Sequence, residues 1–487
     1  MAANMQNSFA LDSKNDKKDD LAIDIQTLEA VATKSPESEC PQWIRDASPE
    51  ELAAKETRLR RKIDIRLMPL IRDLHLKGYQ FNTVVSILFT GYLLMQVPSN
   101  MLLNKLGRPA LYLPGCMLIW GVVSGATAAS QSYGGMLAAR FVLGFIEAAY
   151  FPGCLYYLSC WYTRRELALR TGILYSGSLL SGAFGGLIAA GILDGMDGLH
   201  GLSAWRWLFI LEACLTVGVA LGAFFLLPNL PRTTRWLSAE ERELASWRLQ
   251  ADIGEDDWID SRHQSPLHGF RLAATDAKTW LILVVIYGST ASGSMTTFFP
   301  TVVKTLGKGN ITTLLLTTPP YLIAVAACLT NAWHADRTGE RYLHITLSPL
   351  LAMVMYIVAI STTKFAPRYF AMCIMVGSTY SGYVVALGYI SNILPRPASK
   401  RAACLALMNS LSNVCQIYSP YLYPKSAAPR YATAFGVNIA MSAMTVIAAT
   451  GLRFYLARLN KKLDRGEHVR DVSSSGAAGN DGFRFLL

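Results

Sequence analysis

Residues 137–160 read LAARFVLGFIEAAYFPGCLYYLSC, an apolar run broken by two ionisable side chains, Arg140 and Glu147. A helix crosses the hydrocarbon core of a bilayer in roughly 20 residues, and this run is long enough. A charge at that depth costs about 2.5–3.5 kcal/mol even on insertion scales, so such groups face a cavity or a partner. Two helical turns separate the pair, which sets both on one face of one helix. An arginine there can hold an organic anion, and a carboxylate beside it can take up and release a proton. A static ion pair that only fixes helix packing would use the same two residues, and the run by itself leaves both readings open.

Runs of the same kind recur along the chain. They fall near residues 84–103, 110–129, 136–155, 171–193, 207–227, 280–302, 314–333, 345–361, 369–393, 404–422 and 431–456. With 52% hydrophobic and 16% charged residues, the 487-residue chain suits neither a soluble multidomain enzyme nor a disordered protein. It reads as an all-α polytopic membrane protein.

The net charge of +11 does not point to nucleic acid, because the basic residues sit between spans and form no continuous patch. Arg164, Arg165 and Arg170 share one loop, Arg337 and Arg341 another, and Arg396, Lys400 and Arg401 a third. The segment after the last span carries Arg453, Arg458, Lys461 and Lys462, whereas the loops 131–135 and 194–204 hold no Lys or Arg. The positive-inside rule makes the basic set, and with it the carboxyl tail, cytoplasmic. Asn310-Ile311-Thr312 is a glycosylation sequon on the expected outer side. The nine cysteines are scattered singly, with no metal or disulfide pattern. No cleavable signal is expected, because residues 1–56 are polar with mixed charge.

The expected organisation is a cytosolic tail (1–62), a first helical half (63–228), a cytosolic central loop (229–278), a second half (279–458) and a cytosolic tail (459–487). In the central loop, Ser238 and Glu241 have capping-box spacing and predict a surface helix from about 239 to 250, with linker beyond it. The halves echo each other. Asn104-Lys105-Leu106-Gly107-Arg108 joins two spans in the first, and Asp336-Arg337-Thr338-Gly339-Glu340-Arg341 joins two in the second. Gly107 and Gly339, and likewise Arg170 and Arg401, stand at nearly the same offset. That pattern suggests a tandem repeat of helical units.

The string DRTGER after a span resembles the loop signature of the major facilitator superfamily, although Asn104 stands where the first copy should have aspartate. Five longer strings, in order, resemble the anion:cation symporter family and its fungal allantoate permease branch: GYLLMQVPSNMLLNKLG, ARFVLGFIEAAYFPGCLYYLSCWYTRRE, AWRWLFILEACLTV, TRWLSAEER and SPYLYPKSAAPRY. The resemblance implies a major facilitator fold of two pseudo-repeat halves. It also implies proton-coupled transport of a small organic anion, such as a vitamin, a ureide or another carboxylate. Arg140 would then bind the substrate carboxylate and Glu147 would carry the coupling proton. Gly107, Arg108, Asp336, Arg337, Gly339 and Arg341 would form a conformational loop motif, turning at the glycines and latching helix ends through Asp336 and the arginines.

Further candidates for substrate contact are Tyr175, Tyr380, Asn409 and Asn413, with Tyr383 near Tyr380 and core packing as the alternative for each ring. Asn409 and Asn413 share a helix face and suit interhelical hydrogen bonding equally well. Gly144 and Ala148 would allow close helix approach, as would Gly177, Gly182, Gly185 and Gly186. Glu212, near Arg206, reads as structural, and His334 as a loop-edge residue.

The leading expectation is a monomeric carrier in the plasma membrane, driven by the proton gradient, with no cofactor, no metal and no enzymatic activity. The partners expected are an anionic substrate, protons and lipid. The alternatives are efflux of a secondary metabolite and a transport-dead receptor or truncated variant.

One departure from the family stands out. In the family, a segment like RRKIDIRLMPL leads into a first membrane helix, and a short loop then precedes a segment like DLHLKGYQFN. Here Leu70 is followed almost directly by Ile71-Arg72-Asp73-Leu74, and the charges in 63–81 forbid a span. About 11 spans are therefore expected instead of 12. A basic flank at Arg58–Arg66 on the wrong side of an odd number of spans exposes the same gap. A skipped exon or an incomplete gene model would account for it. Expressed side by side, this chain should show weak or no uptake and a version with the first helix restored should transport; equal uptake by both would contradict the gap.

Overall fold

The structure is a computed structural model that describes residues 73–74, 80–253, 266–298, 310–423, 427–428, 430–467, 469 and 484–487. The tail 1–62 lies outside the described residues. So does the proposed gap at 63–81, apart from Asp73, Leu74 and the first residues of the helix at Gln80.

In the first half the membrane helices are α1 (Gln80–Leu106), α2 (Pro109–Thr127), α3 (Tyr133–Glu147), α4 (Tyr150–Ser159), α5 (Leu167–Gly195) and α6 (Ala204–Leu226). Then follow the short α7 (Ala239–Ile253) and α8 (Pro266–Ala274). The second half holds α9 (Ala277–Gly293), α10 (Asn310–Thr338), α11 (Tyr342–Ser361), α12 (Phe365–Ile393), α13 (Ala398–Asn413), α14 (Cys415–Tyr418) and α15 (Ala432–Asp464).

Within the described residues the apolar runs lie on helices, the run 404–422 divided between α13, α14 and a short 3-10 turn. Among the described residues, seven helices are long and apolar enough to cross a membrane by length and composition alone. The helix α9 is 17 residues long, and α13 has 16 with Lys400 and Arg401 inside it.

Local chemistry sets several boundaries. Ser132 caps α3 by accepting from the Gly135 N–H at 3.2 Å, and Asp276 caps α9 by accepting from the Lys278 N–H at 2.8 Å. α3 and α4 form one span interrupted at Ala148-Ala149, where both residues keep right-handed helical backbone. Pro152 explains the interruption, because its ring cannot donate to the carbonyl four residues back. The capping box of α7 closes both ways: the Ser238 N–H donates to Glu241 Oε2 at 2.8 Å and the Glu241 N–H to Ser238 Oγ at 3.2 Å. The central loop differs from its reading as linker in one place. Its end is helical as α8, and a Cβ on Gly269 would lie 2.8 Å from the Ser399 backbone, so α8 lies directly against α13. The sequon occupies the first turn of α10 and not a loop.

Within a bilayer, helices gain little from hydrophobic association, so close backbone approach and polar contacts decide which of them pair. α1 packs along α3 and α2 along α6. The α1–α3 contact is backbone on backbone: a Cβ at Gly144 would lie 2.0 Å from the Leu88 carbonyl oxygen, and one at Gly91 2.3 Å from that of Phe141. In the second half α12 is the central helix, with 83% of its apolar window buried against 22% for α2 and α6. Phe225, Leu226 and Ile447 lie on the exposed apolar girdle.

Two seams join the halves. α1 packs on α13, and α5 packs on α10. The repeat read from the loops pairs α1 with α10 and α5 with α13, so the seams exchange under the pseudo-symmetry. One end of the bundle carries Arg164, Arg337, Arg396, Arg401 and Lys462 and is called the basic end below. At the other end Asp73 Oδ2 accepts from Trp205 Nε1 at 2.9 Å and from Ser203 Oγ, at the start of α6.

Gly144→Val should destabilise the fold by about 1–3 kcal/mol or more by prying α3 from α1. Gly115→Val, placed where an added Cβ meets nothing within 4 Å, is the control. Thermal melting of the purified protein checks this: the first variant should melt lower and the second as wild type.

Candidate functional site

Arg140 lies two turns into α3, and its side chain is 3% exposed. The guanidinium stacks over the Phe209 ring of α6 at 5.0 Å. Its Nε and Nη1 have no hydrogen-bond partner among the described residues. Glu147 on the same helix and Glu212 on α6 both lie within electrostatic reach. Two turns put about 10 Å of helix axis between Arg140 and Glu147, and no direct ion pair joins them. The close α1–α3 packing fixes the face on which both project.

Glu212 reads as structural from its place near Arg206 and the end of the span. Arg206 itself caps the end of α2 by donating to the carbonyls of Ala128 and Ser130, the latter at 3.0 Å. Glu212 is one helical turn from Phe209 and belongs to the surroundings of Arg140. Spacing was the missed signal, because residues three apart share a face.

The aromatic candidates come together at the junction of the halves. The Tyr175 ring on α5 lies 5.6 Å from Tyr380 and 5.4 Å from Tyr383 on α12, and 6.0 Å from Phe151 on α4. The Tyr380 hydroxyl shares a 2.7 Å hydrogen bond with Thr296 Oγ1. Phe151 escaped notice in the sequence although it is one turn from Glu147. A Cβ on Gly182 would lie 2.8 Å from the Tyr321 ring across the α5–α10 seam, whereas Cβ atoms on Gly177 and Gly185 would meet nothing within 4 Å.

The asparagines occupy the other seam. Asn409 Nδ2 on α13 donates to Tyr92 Oη at 3.2 Å and to Gln96 Oε1 at 3.1 Å on α1. Ser410 Oγ donates to the Leu93 carbonyl at 3.1 Å, and Asn100 Nδ2 to the Ala402 carbonyl at 2.7 Å. Asn413 Nδ2 turns back to the carbonyl of Asn409 at 2.7 Å. The Asn409 amide thus bridges helices, the alternative its sequence position allowed. Tyr92 also lies within electrostatic reach of Glu147, which ties this seam to the α3 pair. Tyr92, Gln96 and Asn100 follow one another at one-turn steps and were legible as a polar stripe on an apolar helix.

The two loop motifs differ in what they hold. Gly107 and Gly339 both take left-handed backbone, φ 61° and 71°, and their N–H groups bond back to Leu103 and Ala335 as helix-ending turns. In the first copy Asn104 Nδ2 donates to Tyr156 Oη at 2.6 Å, within its own half, and Arg108 is exposed. In the second copy Asp336 reaches across. It accepts from the Leu169 N–H at 2.7 Å and the Ala168 N–H at 3.3 Å, in the first turn of α5. A carboxylate at a helix N-terminus is favoured by the dipole and by the unpaired N–H groups there. The fully buried Arg341 donates through Nη2 to Asp336 at 2.7 Å and to the Arg164 carbonyl at 2.9 Å. Arg337 lies over the Trp333 ring of its own helix at 5.4 Å. His334 Nδ1 lies 2.7 Å from His344 Nε2, itself bonded to Glu340.

The model of the Major Facilitator Superfamily matches residues 66–420. The chain is 30% identical to the "MFS-type transporter cnsO" of Penicillium expansum, over 94% of this chain and 96% of that one. It is 32% identical to a "Putative tartrate transporter" of Agrobacterium vitis, over 61% of this chain and 72% of that one. Among solved structures it resembles the proton:xylose symporter XylE bound to 6-bromo-6-deoxy-D-glucose. The TM-score is 0.61 with 17% identity, over 77% of this chain and 86% of that one, a likeness of fold. With two seamed helical halves and relatives along nearly its whole length, the chain belongs to the Major Facilitator Superfamily and is a multi-pass membrane transporter.

Proposed function

We propose that this transporter takes up a small organic anion together with a proton, by alternating access between its halves. The observation that carries the reading is Arg140, a buried guanidinium whose Nε and Nη1 have no partner among the described residues. A ring face contributes about 0.5–2 kcal/mol to a cation, less than the several kcal/mol lost on its dehydration. A carboxylate ligand would supply what the protein leaves out, as a charge-assisted and often bidentate pair. The name of the Agrobacterium relative, which specifies a dicarboxylate, supports an anion of this class. The quoted strings place the chain, on our reading, in the allantoate permease branch.

Charge balance supports the proton. Arg140 faces Glu147 and Glu212, so an arriving anion would set three negative groups against one positive one at membrane depth. Protonation of Glu147 would offset the charge that the anion brings and return the site to the balance it has without ligand. Release of the anion reverses the condition and frees the proton. Tyr175 and Tyr380 would wall the site. Asn409 and Asn413 would stiffen the α1–α13 seam beside it and present their remaining amide atoms to the ligand. On this reading the basic end faces the cytosol by the positive-inside rule, in the plasma membrane. The Asp336–Arg341 cluster, with the turns at Gly107-Arg108 and Arg337–Gly339, holds that end shut and must part when it opens.

The test is uptake of labelled tartrate and allantoate into proteoliposomes under an imposed pH gradient, for this chain and for the form with its first helix restored. Arg140→Ala should lower uptake by on the order of 10- to 100-fold, the loss of a charged hydrogen-bond partner. Glu147→Gln should keep anion exchange and lose proton-driven accumulation. Unchanged uptake in both variants would remove this site from the mechanism. Asp336→Asn, which weakens the grip on α5, should slow maximal uptake by about ten-fold with little change in half-saturation. A change confined to half-saturation would place Asp336 at the ligand instead.

A further inference from the structure

Residues 484–487, Arg-Phe-Leu-Leu, lie back against the basic end and touch both halves. Phe485 is 2% exposed and is part of the main apolar core. Its N–H donates to Asn460 Oδ1 at 2.9 Å and its carbonyl accepts from Asn460 Nδ2 at 2.9 Å, so one side-chain amide of α15 pairs with it as a neighbouring strand would. The ring lies 4.9 Å from Lys278 Nζ, at the start of α9. The Leu486 carbonyl accepts from Tyr389 Oη of α12 at 2.7 Å. The Leu487 carbonyl accepts from the Arg341 N–H at 2.8 Å. The Arg484 carbonyl accepts from Arg164 Nη1 of the first half at 3.0 Å, and its guanidinium pairs with Asp464 at 2.6 Å.

These contacts converge on the closure already described. Arg341 is the residue that grips Asp336 and the Arg164 carbonyl, and Arg164 is fixed in turn by Asp252 of α7 at 3.2 Å. Burial pushes the Arg164 guanidinium below its ordinary range, opposed by that carboxylate. Residues 484–487 therefore complete a ring of bonds: Arg164 to Arg484, Leu487 to Arg341, Arg341 back to Arg164. A segment bonded to both halves must let go of at least one of them when they separate.

We infer that residues 484–487 are a latch that seats in a site between α9, α12 and α15, bonds across to Arg164, and holds the halves together at the basic end. Phe485 supplies the anchoring ring, and Asn460 fixes the main chain whatever the neighbouring side chains are. Release of the latch is then one of the steps that set the rate of opening. The inference rests on movement of one half against the other and not on the anion or the proton.

Hydrogen exchange of the purified full chain, read by mass spectrometry, tests it without substrate. Phe485→Asp removes the anchor, and Asn460→Ala removes the main-chain pairing with a small substitution that keeps the apolar contacts. Amides at 164–169 and 336–343 should exchange on the order of 10- to 100-fold faster in Phe485→Asp, the burial of one aromatic side chain, and about ten-fold faster in Asn460→Ala, the loss of the main-chain pairing. Peptides at the opposite end, 132–136 and 204–208, should keep their protection, and Phe485→Leu should resemble wild type. Should Phe485→Asp fail to fold, Asn460→Ala decides. Unchanged exchange at 164–169 and 336–343 in Asn460→Ala overturns the latch. Protection lost evenly over the chain overturns it as well, since the segment would then be a general support. Neither result bears on the Arg140 site.

Discussion

A guanidinium buried in the membrane, with no hydrogen-bond partner for Nε and Nη1 among the described residues, is the constraint around which the site is organised. Arg140 is held by the backbone contact of α3 with α1, where any side chain at Gly144 would strike Leu88. On its other flank α6 offers a ring face and, one turn on, a carboxylate. Neither replaces the hydration lost on burial. A second carboxylate, Glu147, stands two turns further along the helix, within electrostatic reach but with no direct ion pair to Arg140.

What moves when a ligand binds is set by the two seams. The α1–α13 seam is polar and runs from Tyr92 to Asn100, and Tyr92 joins it to Glu147. The α5–α10 seam ends in Asp336, whose carboxylate receives the N–H groups at the start of α5. Hydrogen bonds of this kind in a low-dielectric setting have discrete made and broken arrangements, which favours two stable states over continuous deformation. Among the described residues such bonds between the halves gather at the basic end, where Asp336 and Arg341 meet the start of α5 and the Arg164 carbonyl.

The fold was legible because its signals are local. Apolar run length marks each helix, Ser238 and Glu241 mark the start of α7, and the glycine turns at 107 and 339 carry the repeat. The α3 pair and the meeting of Tyr175 with Tyr380 and Tyr383 were also within reach, since helix periodicity and the repeat narrow which faces look inward. What escaped depends on partners far apart in the chain. Asn100 bonds the carbonyl of Ala402, Asp336 the amides at 168 and 169, and Phe485 fills a space between three helices. The nearness of Glu212 to Arg140 escaped for the same reason, because the two stand on different helices 72 positions apart. Helix α8 hid because its glycine, which weakens helix propensity, is there for its closeness to Ser399.

The central claim is that an anion and a proton cross together because Arg140 and its two carboxylates cannot accommodate a further negative charge alone. The most direct measurement is proton flux on adding anion: proteoliposomes carrying the transport-active form, no imposed gradient, external pH recorded while labelled anion entry is counted. The account predicts that the medium turns alkaline in proportion to anion entry, and that Glu147→Gln abolishes the pH change. Anion entry without proton movement would contradict it.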